Sequence, residues 1–268
     1  MLRYRSIILT SFQWSFIKKK ITGFKLSTMH QEIKQDNKNF EGNRRNFIKK
    51  GLVVSFSGFG GLSLLAGCKD EKGEEKEVSP PEDLMQEHGV LKRVLLIYDA
   101  CRIHLINKET LPADAITNSA NIIRTFIEDY HEKQEENYLF PRFRKANQLT
   151  DLVDTLFRQH QAGRRVTDEI MQLAKTAKRT DSENGRLSQL LLAFNTMYNP
   201  HEAREDTVLF PAFRKLVSKH EYDSLGEEFE KNEEKMFGKG GFEKYVDKVA
   251  TIEKSLGIYD LAQFTPKI

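Results

Sequence analysis

The residues of this chain best suited to chemistry are His88, His131, His160 and His201, together with Glu135 and Glu205. His131 and Glu135 are four residues apart, as are His201 and Glu205. On a helix each such pair shares one face, about one turn apart and pointing the same way. Burying two bare carboxylates is costly, and they would protonate or stay in water. A metal removes that cost, because carboxylate and neutral imidazole are its ligands and it brings the opposite charge. Six ligands overfill one tetrahedral zinc. They suit two ions, each hairpin giving two histidines and the two glutamates bridging. A lone histidine on an apolar face is more often a core residue, so the argument rests on the joint pattern.

The elements that must position these residues are helices. Residues 131–145 read H-E-K-Q-E-E-N-Y-L-F-P-R-F-R-K and residues 201–215 read H-E-A-R-E-D-T-V-L-F-P-A-F-R-K, identical at nine of fifteen positions. Each copy follows a segment with one earlier histidine, His88 lying 43 residues before His131 and His160 lying 41 before His201. The body is therefore a duplicated helical hairpin. Helical periodicity places Leu84, His88, Leu91 and Leu95 on one face, and Ile123, Ile127, His131 and Glu135 on another. Leu152, Leu156, His160 and Gly163 line a third, and Leu191, Phe194, Tyr198, His201 and Glu205 a fourth. Four such helices with short links predict an all-α, up-down-up-down four-helix bundle over residues 82–217. Pro141 and Pro211 are expected to end or kink their helices. Residues 218–268 predict a helical extension whose Phe242, Tyr245, Tyr259 and Phe264 pack across the bundle.

The neighbours of the six ligands have expected roles of their own. Tyr130 and Tyr198 are placed to hydrogen-bond a ligand or a bound oxygen. Glu132, Glu136, Glu202 and Asp206 are expected to be solvated, and His104 and His220 to lie on the surface. Cys101 is expected to be a small buried hydrophobe. The sequence holds no nucleophile–base triad, Gly-rich phosphate loop or basic aromatic stripe.

The 268 residues carry a formal charge of +3, unevenly spread. Residues 1–67 hold 12 Lys and Arg against 3 Asp and Glu, so the basicity belongs to the N-terminus and the body is acidic. That excludes a nucleic-acid-binding body. Two cysteines, Cys68 and Cys101, exclude a disulfide framework. Residues 43–50 are basic, residues 51–67 uncharged, and Leu65-Ala66-Gly67-Cys68 closes the stretch, the pattern of an export signal. Arg44-Arg45 with Phe47 and Lys49 resembles a twin-arginine signal. Leu65 to Cys68 resembles a lipobox, which makes Cys68 the expected site of lipidation and the first residue of the mature chain. Such a signal would begin near Met29, so residues 1–28 are expected to be a mis-assigned start. Residues 68–81 read as a flexible tether, and Cys68-Lys69-Asp70-Glu71 resembles signals that send lipoproteins to the outer face of the cell.

The doubled H-E-x-x-E-[ED]-x-x-L-F-P motif resembles the hemerythrin family, in its HHE cation-binding branch. The resemblance implies a four-helix bundle around two iron ions with an oxo or hydroxo bridge. By matching position it assigns His88, His131, Glu135, His160, His201 and Glu205 as iron ligands. Oxygen-carrying hemerythrins use H-x-x-x-H on the third helix, but here Arg164 stands four residues after His160. The four-histidine set is more similar to the branch containing iron–sulfur-cluster repair proteins, whose Cys-bearing N-terminal module is absent here. A site with one imidazole fewer is more open. The resemblance then favours reaction with peroxide, nitric oxide or oxygen, or iron binding, over reversible oxygen carriage. A twin-arginine route moves folded proteins, so the centre could take up iron before meeting the zinc and copper that bind more tightly. The expected protein is a lipid-tethered envelope protein handling a small oxidant, a gas or iron. The rival is a helical lipoprotein that displays a partner-binding surface and has no functional iron.

Overall fold

The computed structural model describes residues 78–176 and 178–268. The export signal, Cys68 and residues 68–77 of the tether lie outside the described residues. Six helices follow in order, and no strand occurs among the described residues. Helix α1 is Pro80–Asn107. Helix α2 runs over 115–146, α3 is Thr150–Ala174, and α4 runs over 181–216. The extension forms α5, Lys219–Phe237, and α6, Gly241–Ser255, then a short 3-10 turn, Leu261–Phe264.

Local chemistry sets the helix ends. Ser79 and Glu82 bond at the start of α1, where the Glu82 carboxylate accepts from the Ser79 backbone N–H at 3.1 Å. Pro80 and Pro81, assigned to the tether by composition, form the first turn of α1, because proline has no helical N–H to lose there and a fixed φ that suits it. Thr180 starts α4 with a reciprocal pair: its hydroxyl accepts from the Glu183 N–H at 3.2 Å, and its own N–H donates to the Glu183 carboxylate at 2.7 Å. Helix α2 stops where Asn147 turns left-handed at φ 51°.

Neither Pro141 nor Pro211 ends its helix. In α2 the segments Ile123–His131 and Glu135–Leu139 are π-helical, as is Glu205–Leu209 in α4. The backbone ladder shifts to i→i+5 bonds ahead of each proline, and the proline enters the first turn of the following α segment. The helices continue to Ala146 and Leu216.

The bundle closes as a ring, with α1 against α2 and α4, and α3 against α2 and α4. Its interior is layered. One apolar cluster gathers Leu91, Tyr98, Ile123, Phe126, Leu191 and Phe194. A second gathers Leu84, Phe140, Phe143, Leu156, Phe210 and Phe213. Between them in sequence on each helix lie the histidines: His88 between Leu84 and Leu91, and His160 between Leu156 and Ile170. The second cluster explains the repeated L-F-P-x-F segment, which supplies Leu139, Phe140 and Phe143 from one copy and Leu209, Phe210 and Phe213 from the other. Burial of each large apolar side chain is worth about 1.5–3 kcal/mol, and these twin clusters flank a polar layer that costs stability by itself.

The extension lies across α1 and α2. Tyr245 stacks on Phe126 with ring centroids 4.4 Å apart, and Phe237 meets Tyr130 edge-on at 5.1 Å. Arg93 clasps Glu253 through Nε at 2.9 Å and Nη2 at 2.5 Å. Phe242 and Tyr245 pack as the sequence predicts, but Tyr259 and Phe264 do not: they are 49% and 53% exposed, beyond the end of α6. No helix among the described residues is long and apolar enough to cross a membrane.

Candidate metal centre

Each of the four bundle helices delivers one histidine, and α2 and α4 each add a glutamate. All six residues are buried, none more than 3% exposed. They fall into two sets of three: His88, His131 and Glu135, and His160, His201 and Glu205. The first pairs α1 with α2 and the second α3 with α4, so each hairpin of the duplication makes one set.

The Nε2 atoms of the histidines face one another and the glutamates. His160 Nε2 is 3.2 Å from His201 Nε2 and 3.4 Å from Glu135 Oε2. His88 Nε2 is 3.4 Å from Glu205 Oε2, and His201 Nε2 is 3.1 Å from Glu205 Oε1. Each carboxylate therefore turns one oxygen to each hairpin: Glu135 Oε1 lies 4.0 Å from His131, and its other oxygen meets His160.

This arrangement fits a metal. Both oxygens of Glu135, both of Glu205 and His88 Nε2 are buried without a hydrogen-bond partner. Burial pushes the Glu135 carboxyl up, and the Glu205 charge beside it adds to the effect. Burial opposes a charged His88, yet Asp206 and Glu205 raise it to about 10. Two carboxylates in one dry layer demand positive charge, which here must come from protons on imidazoles or from cations.

The outward nitrogens are all engaged. His88 Nδ1 is 2.8 Å from Asp206, His131 Nδ1 2.7 Å from Glu87, His160 Nδ1 3.1 Å from Glu136, and His201 Nδ1 2.8 Å from Gln159. A partner at Nδ1 fixes the tautomer that leaves Nε2 free to ligate, and orients the ring. These contacts close a ring around the bundle: α1 reaches the histidine of α2, α2 that of α3, α3 that of α4, and α4 that of α1. Each orienting residue adjoins one of the six in sequence. Glu87 precedes His88 and Gln159 precedes His160, while Glu136 follows Glu135 and Asp206 follows Glu205.

Several expectations need correction here. Glu132, Glu136, Glu202 and Asp206 are not simply solvated. Glu132 is 1% and Glu202 2% exposed, and Asp206 is half-buried against His88. Glu202 pairs with Lys92 at 2.7 Å. Burial works against ionised Glu136, but His160, Lys133 and Arg164 hold it down at about 2. Glu136 and Asp206 stand in π-helical segments, where residues advance less around the axis per step and a longer run faces inward. Glu132 and Glu202 are α-helical and are buried with a cation from a neighbouring helix, Arg164 and Lys92. Tyr130 turns away from the centre, accepting from Gln134 Nε2 at 3.2 Å and donating to the Phe229 carbonyl at 3.5 Å in the extension. Tyr198 stays beside the centre, its ring 5.3 Å from His201, but its hydroxyl donates to Glu132 at 2.6 Å. Periodicity did not reveal Glu87, Gln159 or the role of Arg164. Adjacency to the six residues was the available signal for the first two.

Arg164 lies four residues after His160 on α3. Its guanidinium bonds Glu132 at 2.5 Å and Glu136 at 2.8 Å, and the Glu128 carbonyl accepts from it at 3.2 Å. Glu132, Glu136 and His160 make a third acidic grouping, but Arg164 already pairs with both of its carboxylates and Lys133 with Glu136. Apolar rings cover the other side, with Phe140 stacked on His160 at 5.5 Å and Phe210 on His88 at 5.6 Å. Cys101 is buried as expected, its thiol pushed up to about 12 by burial. His104 lies half-buried beside Glu109 and His220 is exposed, both away from the centre.

Comparison with known proteins gives a match to the hemerythrin HHE cation-binding domain over residues 79–213. An uncharacterized protein of Mycobacterium tuberculosis is 46% identical over 233 residues, which cover 83% of this chain and 91% of the relative. An uncharacterized protein of Mycobacterium bovis is similar to the same extent. These alignments are longer than the matched domain, so the likeness extends beyond the bundle. No solved structure gives a significant match.

Proposed function

The chain belongs to the hemerythrin HHE cation-binding family, and from that premise we propose that His88, His131, Glu135, His160, His201 and Glu205 hold two iron ions. In this reading Glu135 and Glu205 would be shared between the two ions, whose bridge would be an oxo or hydroxo group, and the centre would handle oxygen, peroxide, nitric oxide or iron itself. One observation carries the reading: two sets of His and Glu donors converge from four helices, and in them the four oxygens of Glu135 and Glu205 and Nε2 of His88 are buried with no hydrogen-bond partner. Bound iron would supply Lewis acidity and electrons for a small oxidant or gas. The chain's own residues do the rest. Glu87, Asp206, Glu136 and Gln159 hold the imidazoles in the ligating tautomer. Phe140 and Phe210 keep bulk water off the rings. Tyr198, one turn before His201, donates its hydroxyl proton to Glu132. Arg164 in place of a fifth imidazole leaves the third helix with one ligand, which favours a reactive centre over a reversible carrier.

The purified protein, loaded anaerobically with iron(II), is expected to retain about two irons per chain, by the donor count above. After oxidation it should show oxo-bridged charge-transfer bands that respond to peroxide or nitric oxide. Failure to retain iron under these conditions would overturn the reading and leave the helical partner-binding lipoprotein as the better account.

We also propose export by the twin-arginine-like signal and lipid attachment at Cys68, on the strength of Arg44-Arg45 and Leu65-Ala66-Gly67-Cys68. Cells fed a labelled fatty acid should mark the wild-type chain and not Cys68→Ala. Equal labelling of both would sink the anchor.

A further inference from the structure

Duplication should make the two halves of the centre alike, and in their six inner donors they are. Their outer partners differ. The hairpin repeat equates Glu87 with Gln159, each preceding the first histidine of its hairpin, and Glu136 with Asp206, each following the repeated glutamate. His88 and His131 therefore both face carboxylates, Asp206 at 2.8 Å and Glu87 at 2.7 Å. His201 instead faces the neutral amide oxygen of Gln159 at 2.8 Å. His160 faces Glu136, whose carboxylate is shared with Lys133 Nζ at 2.6 Å and Arg164 Nη1 at 2.8 Å. Two carboxylates back the first pair of histidines. Behind the second stand an amide and one carboxylate already held by two cations.

A carboxylate that accepts the Nδ1 proton of a ligating imidazole makes Nε2 more basic, and such outer partners are worth about 10–100-fold in metal affinity. An amide oxygen fixes the same tautomer with no charge behind it. We infer that the two metal positions are inequivalent: the one held by His88 and His131 fills first and holds its ion more tightly, while the one held by His160 and His201 is labile. Gln159 is the positioning residue that sets the difference. The inference rests on the two-ion reading above and adds an order of filling that the six inner donors alone do not contain. It also assigns a use: a centre that gives up one ion while keeping the other can exchange metal without losing both of its anchors.

Cobalt(II) is the probe, added anaerobically to the metal-free full chain and followed by its visible bands against a competing chelator. Two resolved steps are expected, the first at least about ten-fold tighter. Crystals loaded with one cobalt per chain should show anomalous density beside His88 and His131. Gln159→Glu should narrow the gap by strengthening the second step, and Glu87→Gln should narrow it by weakening the first. Both substitutions are near-isosteric and act on opposite steps, so a folding failure in one leaves the other decisive. A single step for two equivalent ions, first occupancy beside His160 and His201, or an unchanged gap in the folded variants would overturn the inference while leaving the two-ion centre intact. No binding of cobalt or iron by the wild type would overturn the centre itself, and the inference with it.

Discussion

Glu205→Gln is expected to lower iron retention by at least about ten-fold in competition with a chelator, with helix content unchanged. Glu205 sits 3.4 Å from His88, 3.1 Å from His201 and 4.0 Å from His160, so one side chain serves both hairpins. Glutamine keeps the shape but removes the charge and turns an N–H₂ group toward the space a cation would take. In the metal-free protein the Glu205 carboxylate pairs with His88 and His201, and glutamine gives up those pairs as well. The variant and the wild type are therefore each melted with and without iron, and the gain on adding iron is the quantity compared. A ligand at a thousand times its dissociation constant adds about 4 kcal/mol to a fold that alone binds it. For a domain of this size that is a melting shift of about 8–16 °C, which the variant should lack. Elemental analysis and paired melts check both halves, and wild-type iron content in the variant would defeat the assignment.

The second large effect lies just outside the metal layer. A Cβ on Gly163 would overlap the Tyr198 hydroxyl and come within 2.9 Å of ring atom Cζ. Tyr198 cannot retreat, since it is fully buried, stacks on Phe194 at 4.3 Å, and donates to Glu132. Gly163→Ala should therefore cost about 2–3 kcal/mol by overpacking, lowering the melting temperature by about 4–12 °C. Tyr198→Phe alone should cost about 1–2 kcal/mol by taking a donor from a buried carboxylate. Together they should cost less than the sum by at least about 0.5 kcal/mol, because the hydroxyl is the nearest atom to the new methyl. Strict additivity in the double-mutant cycle, or a wild-type melt for Gly163→Ala, would show that Tyr198 is not held as described.

The tyrosine also shows why some of the centre escaped a reading by period. Tyr198 was found because it lies one turn before His201 on an apolar face, but its bond to Glu132 crosses between helices and has no trace in spacing. Tyr130 had the same local credentials, yet points to the extension, because the π-helical turn of Ile123–His131 rotates it there. Glu136 and Asp206, in π-helical turns, depart from the period for the same reason, whereas Glu132 and Glu202 depart from it because a cation on a neighbouring helix stands opposite. A 3.6-residue period predicts that the neighbours of a core residue face water, and wide turns with polar partners opposite reverse that.

What the sequence determined by itself was the all-α architecture and the six inward-facing His and Glu side chains proposed above as donors. Helical periodicity is local, a duplicated fifteen-residue segment survives in any register, and the i, i+4 relation of histidine to glutamate holds on any helix of this pitch. Only the tertiary structure decided how those donors are supported. The ring of Glu87, Glu136, Gln159 and Asp206 depends on which helix lies beside which, as does the Arg164 clamp on Glu132 and Glu136, and the seat of the Tyr198 ring depends on the bare backbone that Gly163 offers it. Interactions between helices depend on rotation and neighbourhood, and packing sets both after the helices have formed.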